Sequence, residues 1–531
     1  MTSPASAGSR TRESLPLALI MLGYLALALL YARFTPPWQA PDEPAHYNYI
    51  AYLAENGRFP VLHMGDYPHA YLEEIKARRF PPELSIAPIR YEFHQPPLYY
   101  ALLSPVFALT GRALLPLRLA SVLLGAGLVL CAYAIAKRIF PEQAGLALGT
   151  AAFVAFLPQH LATVSQVGND VLAELLFALA LYQLVGWVLG PAKPQAPAED
   201  LREPGTWAFP RLAAGRAGFA LPNRRLLGMG ILLGLILITK TTAYIAAALA
   251  AAVLIGRWVK GRAPVGRALA EAALAGGPAA LIALPWYGRN IWTYGWPDFL
   301  GLIRHDAIVA GQLRTGEFLA QYGWASYLRR LAEFTFKSFW GVFGWLGVFM
   351  DSRVYLALLI LCLVAAGGLV WRLIARTPRG GDTRRGSKNA LRLLALSALL
   401  TLLVYAWYNV RFVQHQGRYL FTALIPIAIG FALGWDGAIR PPGARIVAAG
   451  LALLGAGLAA LGLASGTGLP KWPLAMIMAA VGGLCVADRV QARWPGRSLR
   501  VRPLLFAMPF AALPFIALYG LFGAIVPQWA R

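Results

Sequence analysis

Apolar runs of about 15 to 23 residues recur along the whole chain. At 1.5 Å per helical residue, about 20 of them cross the roughly 30 Å of hydrocarbon in a bilayer. Backbone immersed in hydrocarbon must satisfy its own N–H and C=O groups, which leaves helices or a closed β-barrel. Barrel strands alternate apolar and polar positions over about ten residues, whereas Leu393 to Trp407 and Ile446 to Ala464 are apolar on every face. The chain therefore reads as an all-α polytopic membrane protein. Its composition agrees, with 58% hydrophobic and 14% charged residues among 531.

The runs predict thirteen spans, near 15–33, 114–136, 144–166, 170–190, 226–240, 242–256, 268–286, 353–371, 393–409, 418–436, 446–464, 473–487 and 503–526. The first run ends in Arg33-Phe34-Thr35-Pro36-Pro37 without a small-residue cleavage pattern, so it is expected to stay as a signal anchor. Cys131, Cys362 and Cys485 all fall inside apolar runs, where they read as small core residues rather than a disulfide or metal set.

A net charge of +24 invites a nucleic-acid reading, but the basic residues come in short clusters between apolar runs, which is how a membrane chain records its orientation. With the N-terminus cytoplasmic, about 28 of the 48 Lys and Arg fall on the cytoplasmic side, against about 8 of the 24 Asp and Glu. The expectation is a multi-pass protein of the plasma (inner) membrane, C-terminus external, with no nucleic-acid partner. Pro96 to Thr110 is apolar but short; if it spanned, the five densest basic clusters would turn outward, so it reads as an external juxtamembrane helix.

This divides the chain into a cytoplasmic N-terminus with the first span (1–34), a first external loop (35–113), a membrane bundle (114–286), a large Trp-rich external loop (287–352) and a C-terminal bundle (353–531). The 191–225 segment, rich in Pro, Ala, Gly and Arg, reads as a cytoplasmic linker, and 377–390 as a shorter one. No internal repeat is visible, which argues against a secondary transporter.

Five polar clusters interrupt the apolar pattern. In Pro41-Asp42-Glu43-Pro44-Ala45-His46-Tyr47, Asp42 is placed to cap a helix that runs to Glu55 and that Gly57 closes. Helical spacing then puts Glu43, His46, Tyr47 and Ile50 on one side, facing a common cleft. The second cluster, Tyr91 to Tyr100, sets His94 and Gln95 at the start of the juxtamembrane helix. The third holds Asn169 and Asp170, with Glu174 one turn further in; Glu174 is too costly to face lipid, at about 2.5–3.5 kcal/mol, and needs a cavity or partner.

The fourth, Lys240-Thr241-Thr242, either snorkels or offers a cation to an anionic headgroup. The fifth, Tyr408 to Tyr419, sets Arg411, His415 and Arg418 in one external turn, and the planar guanidinium fork suits phosphate oxygens. Arg289, Arg304-His305-Asp306 and Lys337 add polar groups to the Trp-rich loop without a diagnostic spacing. No nucleotide phosphate loop, HExxH, CxxC or GxSxG occurs.

Taken in order, Pro41 to Tyr47, Phe93 to Tyr100, Asn169-Asp170, Thr239-Lys240-Thr241 and Gly417-Arg418-Tyr419-Leu420 resemble the GT-C superfamily of integral membrane glycosyltransferases, especially relatives of protein O-mannosyltransferases and lipid A aminoarabinose transferases. The resemblance implies a GT-C-like bundle of about 13 transmembrane helices and transfer of a sugar from a polyprenyl-phosphate donor, on the external face, to an acceptor it does not identify. It maps the catalytic acid of the first external loop to Asp42, with Glu43 beside it. His46, Tyr47, His94, Gln95, Asn169, Asp170, Lys240, Arg411, His415, Arg418 and Tyr419 become substrate-binding candidates, with Lys240, Arg411 and Arg418 for the phosphate.

The chain carries His94-Gln95-Pro96 where the aminoarabinose transferases carry Glu-Lys-Pro, so their lysine contact does not transfer. Some relatives use a divalent metal, for which Asp42, Glu43 and Asp170 are the candidates. Two other readings stand beside this one. An O-antigen polymerase or ligase-like enzyme would rest on Arg411, His415 and Arg418, and a non-catalytic lipid or polysaccharide transporter would need charges at the middle of several spans.

Overall fold

The computed structural model describes residues 4–190, 223–375, 385–493 and 495–529. It is a helical bundle; among the described residues the sole sheet is a two-stranded antiparallel hairpin, Val342–Phe343 against Val348–Phe349. Among the described residues, eleven helices are long and apolar enough to cross a membrane, or twelve if one bent pair counts as a span. Their outward faces are apolar, as at Leu123, Leu281, Leu453 and Met478, so the surface is built to meet lipid rather than water.

Two of the thirteen predicted spans fold differently. The run 144–166 breaks into Ala144–Phe156 and Pro158–Val164, bent by 62°. Pro158 causes this: the residue before a proline is pushed out of the α region, and Leu157 is extended at φ −63°, ψ 117°. The run 226–240 becomes Asn223–Leu237, only 15 residues and about 22 Å long, and the chain then turns through Lys240 into a 3₁₀ turn, Thr241–Tyr244. Much of the two predicted linkers lies outside the described residues, but residues 223–225 and 385–390 within them are helical.

Leu98–Leu109 is a short apolar helix of 12 residues, as its run predicts. It packs against Glu43–Asn56 in the first long loop, which also holds His69–Ala77. The second long loop folds as Leu302–Ile308, the hairpin and Thr315–Gly341, which kinks at Gly323 (φ 73°). The two loops close on each other: Trp345 Nε1 donates to the Trp38 carbonyl (3.0 Å), Phe80 stacks on Trp345, and Leu62 N–H donates to the Tyr294 hydroxyl (3.1 Å). Together they roof one end of the bundle.

Candidate active site

Helix Glu43–Asn56 starts and stops where the sequence places it, with Gly57 left-handed at its C-terminus (φ 61°). Asp42 occupies the cap position but does not cap. Its own backbone is left-handed (φ 67°), an uncommon state for a residue with a Cβ, and its side chain points away from the helix amides. Tyr91 Oη donates to its Oδ1 (2.9 Å) and Arg418 Nη2 to its Oδ2 (2.7 Å). The carboxylate stays 28% exposed.

Glu43, the next residue, turns into the protein. Arg118 grips it with two bonds, Nε to Oε1 (2.8 Å) and Nη2 to Oε2 (2.6 Å), and the amides of Val167 and Trp38 add two more at 3.2 Å. Arg118 also donates to the carbonyls of Ala32, Thr35 and Pro36. Neither residue of the pair reaches solvent beyond 3%. Glu43 is therefore an internal anchor, with no lone pair left for a substrate or metal. Tyr47 also leaves the predicted common face, donating to the Arg112 carbonyl (2.8 Å) and packing on Trp38 and Phe107.

A second ion pair, Lys240 with Asp170 at 2.7 Å, stands near the first. Helix Asp170–Leu189 begins at Asp170, so Asn169 holds the cap position; its Nδ2 donates to Gln95 Oε1 (3.2 Å) and the Thr239 carbonyl (3.4 Å). His46 Nδ1 shares a hydrogen bond with the Tyr100 hydroxyl (2.8 Å), and Tyr100 stacks flat on Tyr49 at 3.7 Å. Gly417 lets Arg418 in, because a Cβ there would strike the backbone of Thr335 and Phe339. Arg418 lies over the Tyr419 ring, which Tyr408 meets edge-on.

The electrostatics separate the two acids of the pocket. Burial pushes Asp42 upward, but the charge of Arg418, with the hydrogen bonds from Arg418 and Tyr91, outweighs it and leaves its pKa below the usual carboxylate value. Burial pushes Glu92 the other way, above its ordinary value, with His46 only partly opposing, and its Oε2 is buried without a hydrogen-bond partner. Burial lowers His46 and takes His94 down to about 4, so both are neutral at pH 7. His94 Nδ1–H donates to the Tyr91 carbonyl (3.0 Å), leaving Nε2 as an acceptor, and the ring lies 4.3 Å from that of His305.

The structure thus gathers Asp42, His46, His94, Gln95, Asn169, Asp170, Lys240, Arg418 and Tyr419 at the roofed end of the bundle. Arg411 falls outside both ion pairs, exposed over the Trp407 ring. His415 is buried edge-on against Tyr327, with neither ring nitrogen hydrogen-bonded. The proposed metal set also comes apart: Asp42, Glu43 and Asp170 each face a different cation, and among the described residues no three His, Cys, Asp or Glu converge on a metal position.

Sequence reasoning named the Tyr91 to Tyr100 cluster and His305 without giving Tyr91, Glu92 or His305 a partner, and it missed Arg118 and His160. A lone arginine in the apolar run 114–136 was a signal, since an unpaired charge there is costly. Glu174 has the partner it needed in His160 (3.2 Å), which the Pro158 bend turns inward. An apolar cleft of about 720 Å³ lies between Thr315–Gly341 and Arg385–Arg411; Leu319, Leu331, Phe336 and Leu402 line it, as does Leu420 of the segment that carries Arg418.

A family model described as dolichyl-phosphate-mannose-protein mannosyltransferase matches residues 94–190, a segment that includes His94, Gln95, Asn169 and Asp170. No curated protein matches the chain. Among solved structures, ArnT from Cupriavidus metallidurans bound to undecaprenyl phosphate aligns at TM-score 0.48 and 15% identity, over 96% of this chain and 76% of that one. The archaeal oligosaccharyltransferase AglB from Archaeoglobus fulgidus, in complex with an inhibitory peptide and a dolichol-phosphate, aligns at TM-score 0.41 and 14% identity, over 89% and 56%.

Proposed function

We propose that the chain is a membrane glycosyltransferase of the GT-C type, moving a sugar from a polyprenyl-phosphate donor to an acceptor hydroxyl on the external face, with inversion. The observation that carries this reading is the meeting of two carboxylate–cation pairs, Asp42 with Arg418 and Asp170 with Lys240, each at 2.7 Å, at one end of an apolar bundle. The match of 94–190 to a mannosyltransferase family supports it.

The reaction needs a base for the acceptor proton and positive charge for the departing lipid phosphate. Asp42 is the base: the acceptor oxygen bonds to the anomeric carbon, its proton passes to Asp42, and the bond from that carbon to the phosphate oxygen breaks. Arg418 and Lys240 receive the phosphate as its charge grows. In the resting pocket Arg418 holds Asp42 at a low pKa, which makes a weak base. A donor phosphate that takes over the guanidinium removes that restraint, so donor binding itself strengthens the base. The apolar cleft that Leu420 lines suits the prenyl chain, and the segment that carries Leu420 also carries Arg418.

Asp42→Asn is expected to lower transfer from a polyprenyl-phosphate sugar by roughly 10²–10⁴-fold while the protein keeps its apparent Tm. Transfer within a few-fold of the unaltered protein would remove Asp42 as the base.

A further inference from the structure

Glu92 stands beside the candidate base and takes no part in the proton transfer to Asp42. It follows Tyr91, which donates to Asp42 (2.9 Å), and its carboxylate is within electrostatic reach of Asp42, His46 and Lys240. The side chain is partly buried, and its Oε2 is buried with no hydrogen-bond partner among the described residues. Gln95, one 3₁₀ turn on, hydrogen-bonds the same carboxylate, and its neighbours fix the direction of that bond. Asn169 Nδ2 donates to the Thr239 carbonyl (3.4 Å) and to Gln95 Oε1 (3.2 Å). A carbonyl only accepts, so the Asn169 nitrogen must lie there, Gln95 receives on its oxygen, and its Nε2 is the donor to Glu92. The chain of bonds ends in two free acceptors: Glu92 Oε2 on one side and, on the other, Asn169 Oδ1 of a fully buried side chain.

An acid that only anchors structure takes its donors from the protein, as Glu43 does from Arg118, Val167 and Trp38. Glu92 does not, and a buried acceptor without a donor costs stability. Burial accordingly holds its pKa above the ordinary value. The cations of the pocket give no relief, since Lys240 is on Asp170 and Arg418 on Asp42, each at 2.7 Å. In the proposed reaction both cations pass to the donor phosphate. The group bonded to that phosphate is the sugar, which brings neutral O–H donors to the same place.

We propose that Glu92, oriented by Gln95 and Asn169, accepts from hydroxyl groups of the donor's sugar and so selects which sugar is transferred. This rests on the polyprenyl-phosphate donor reading of the site. A polyprenyl phosphate without a sugar uses the two cations but not these acceptors.

Native mass spectrometry of the full chain in nanodiscs tests this, with undecaprenyl phosphate competing against undecaprenyl phosphate that carries mannose, glucose, galactose or arabinose. At least one of the four sugars is expected to be retained about tenfold over the bare lipid. Glu92→Leu is expected to bring that ratio to about one while retaining the bare lipid as the unaltered protein does. Glu92→Gln, which keeps the size and polarity of the side chain, is expected to lose part of the preference and serves if Glu92→Leu does not fold. Monodeoxy forms of the preferred sugar locate the contact: loss of the hydroxyl that Glu92 reads lowers retention by the same factor in the unaltered protein and no further in the variant. A ratio near one for all four sugars in the unaltered protein, or a Glu92 variant that keeps the full preference, would overturn the inference and leave the donor reading in place. Failure of the unaltered protein to retain any of these lipids would overturn the donor reading, and this inference with it.

Discussion

Asp42 and Glu43 are consecutive carboxylates, each bound to an arginine at 2.6–2.7 Å, yet they belong to different regions of the protein. The Glu43 region is sealed: Arg118 and two backbone amides occupy the acid, and neither member of the pair is more than 3% exposed. The Asp42 region is partly open, because the carboxylate is 28% exposed, and in the proposed reaction its arginine passes to the donor phosphate. The same pair of side chains thus builds a sealed anchor in one place and a partly exposed contact in the other. What differs is how many alternative partners each can reach.

This contrast sets the order of expected effects. The largest is the loss of transfer in Asp42→Asn without loss of folding, given above. Next is the reverse: Arg118→Ala strands Glu43 as a buried unpaired charge and is expected to cost about 3–5 kcal/mol, read as a large fall in apparent Tm and in yield. A variant that folds normally would mean that the Glu43 region is not sealed. Arg418→Lys and Lys240→Ala act on the exchangeable side and are expected to raise KM for the polyprenyl-phosphate donor by about 10- to 100-fold with little change in Tm, since each removes a charge-assisted contact of about 1.5–3 kcal/mol. An unchanged donor KM would detach these cations from the phosphate.

The smallest effect separates Asp42 from Glu92 by the sign of their pH dependence. Asp42 has a lowered folded pKa, so its contribution is present above its unfolded value, about 3.8, and fades as pH falls through the folded one. Glu92 has a raised folded pKa: stability is highest below its ordinary 4.5 and declines as pH rises through the folded value. Glu92→Gln is therefore expected to raise apparent Tm slightly at pH 7, with the gain closing as pH falls toward 4.5. A gain that persists at acid pH would show that burial of the charge is not its cause.

Much of the fold was legible because its signals are local. Apolar run length placed eleven of the thirteen predicted spans on helices able to cross a membrane, and the short run after Pro96 became a short helix. The other two runs depart from a straight span for local reasons too: one proline bends 144–166, and 226–240 ends early at the turn through Lys240. In the site, Asp42, Asp170, Lys240 and Arg418 were visible as polar residues at the ends of apolar runs. Arg411 and His415 shared the turn of Arg418 but point elsewhere, since the stretch from Arg411 to Arg418 fans its side chains over several directions.

The sequence by itself determined the class of molecule, most of the membrane-crossing helices, and the short segments in which chemistry concentrates, because length and periodicity of hydrophobicity act over tens of residues. Only the tertiary structure decided which acid is the anchor and which faces the pocket. A step of one residue turns a helical side chain by about 100°, so Glu43 enters the core while Asp42, just before the helix, meets a guanidinium 376 residues away in sequence. That pairing exists only because the bundle brings the first loop and the Arg418 turn to the same end.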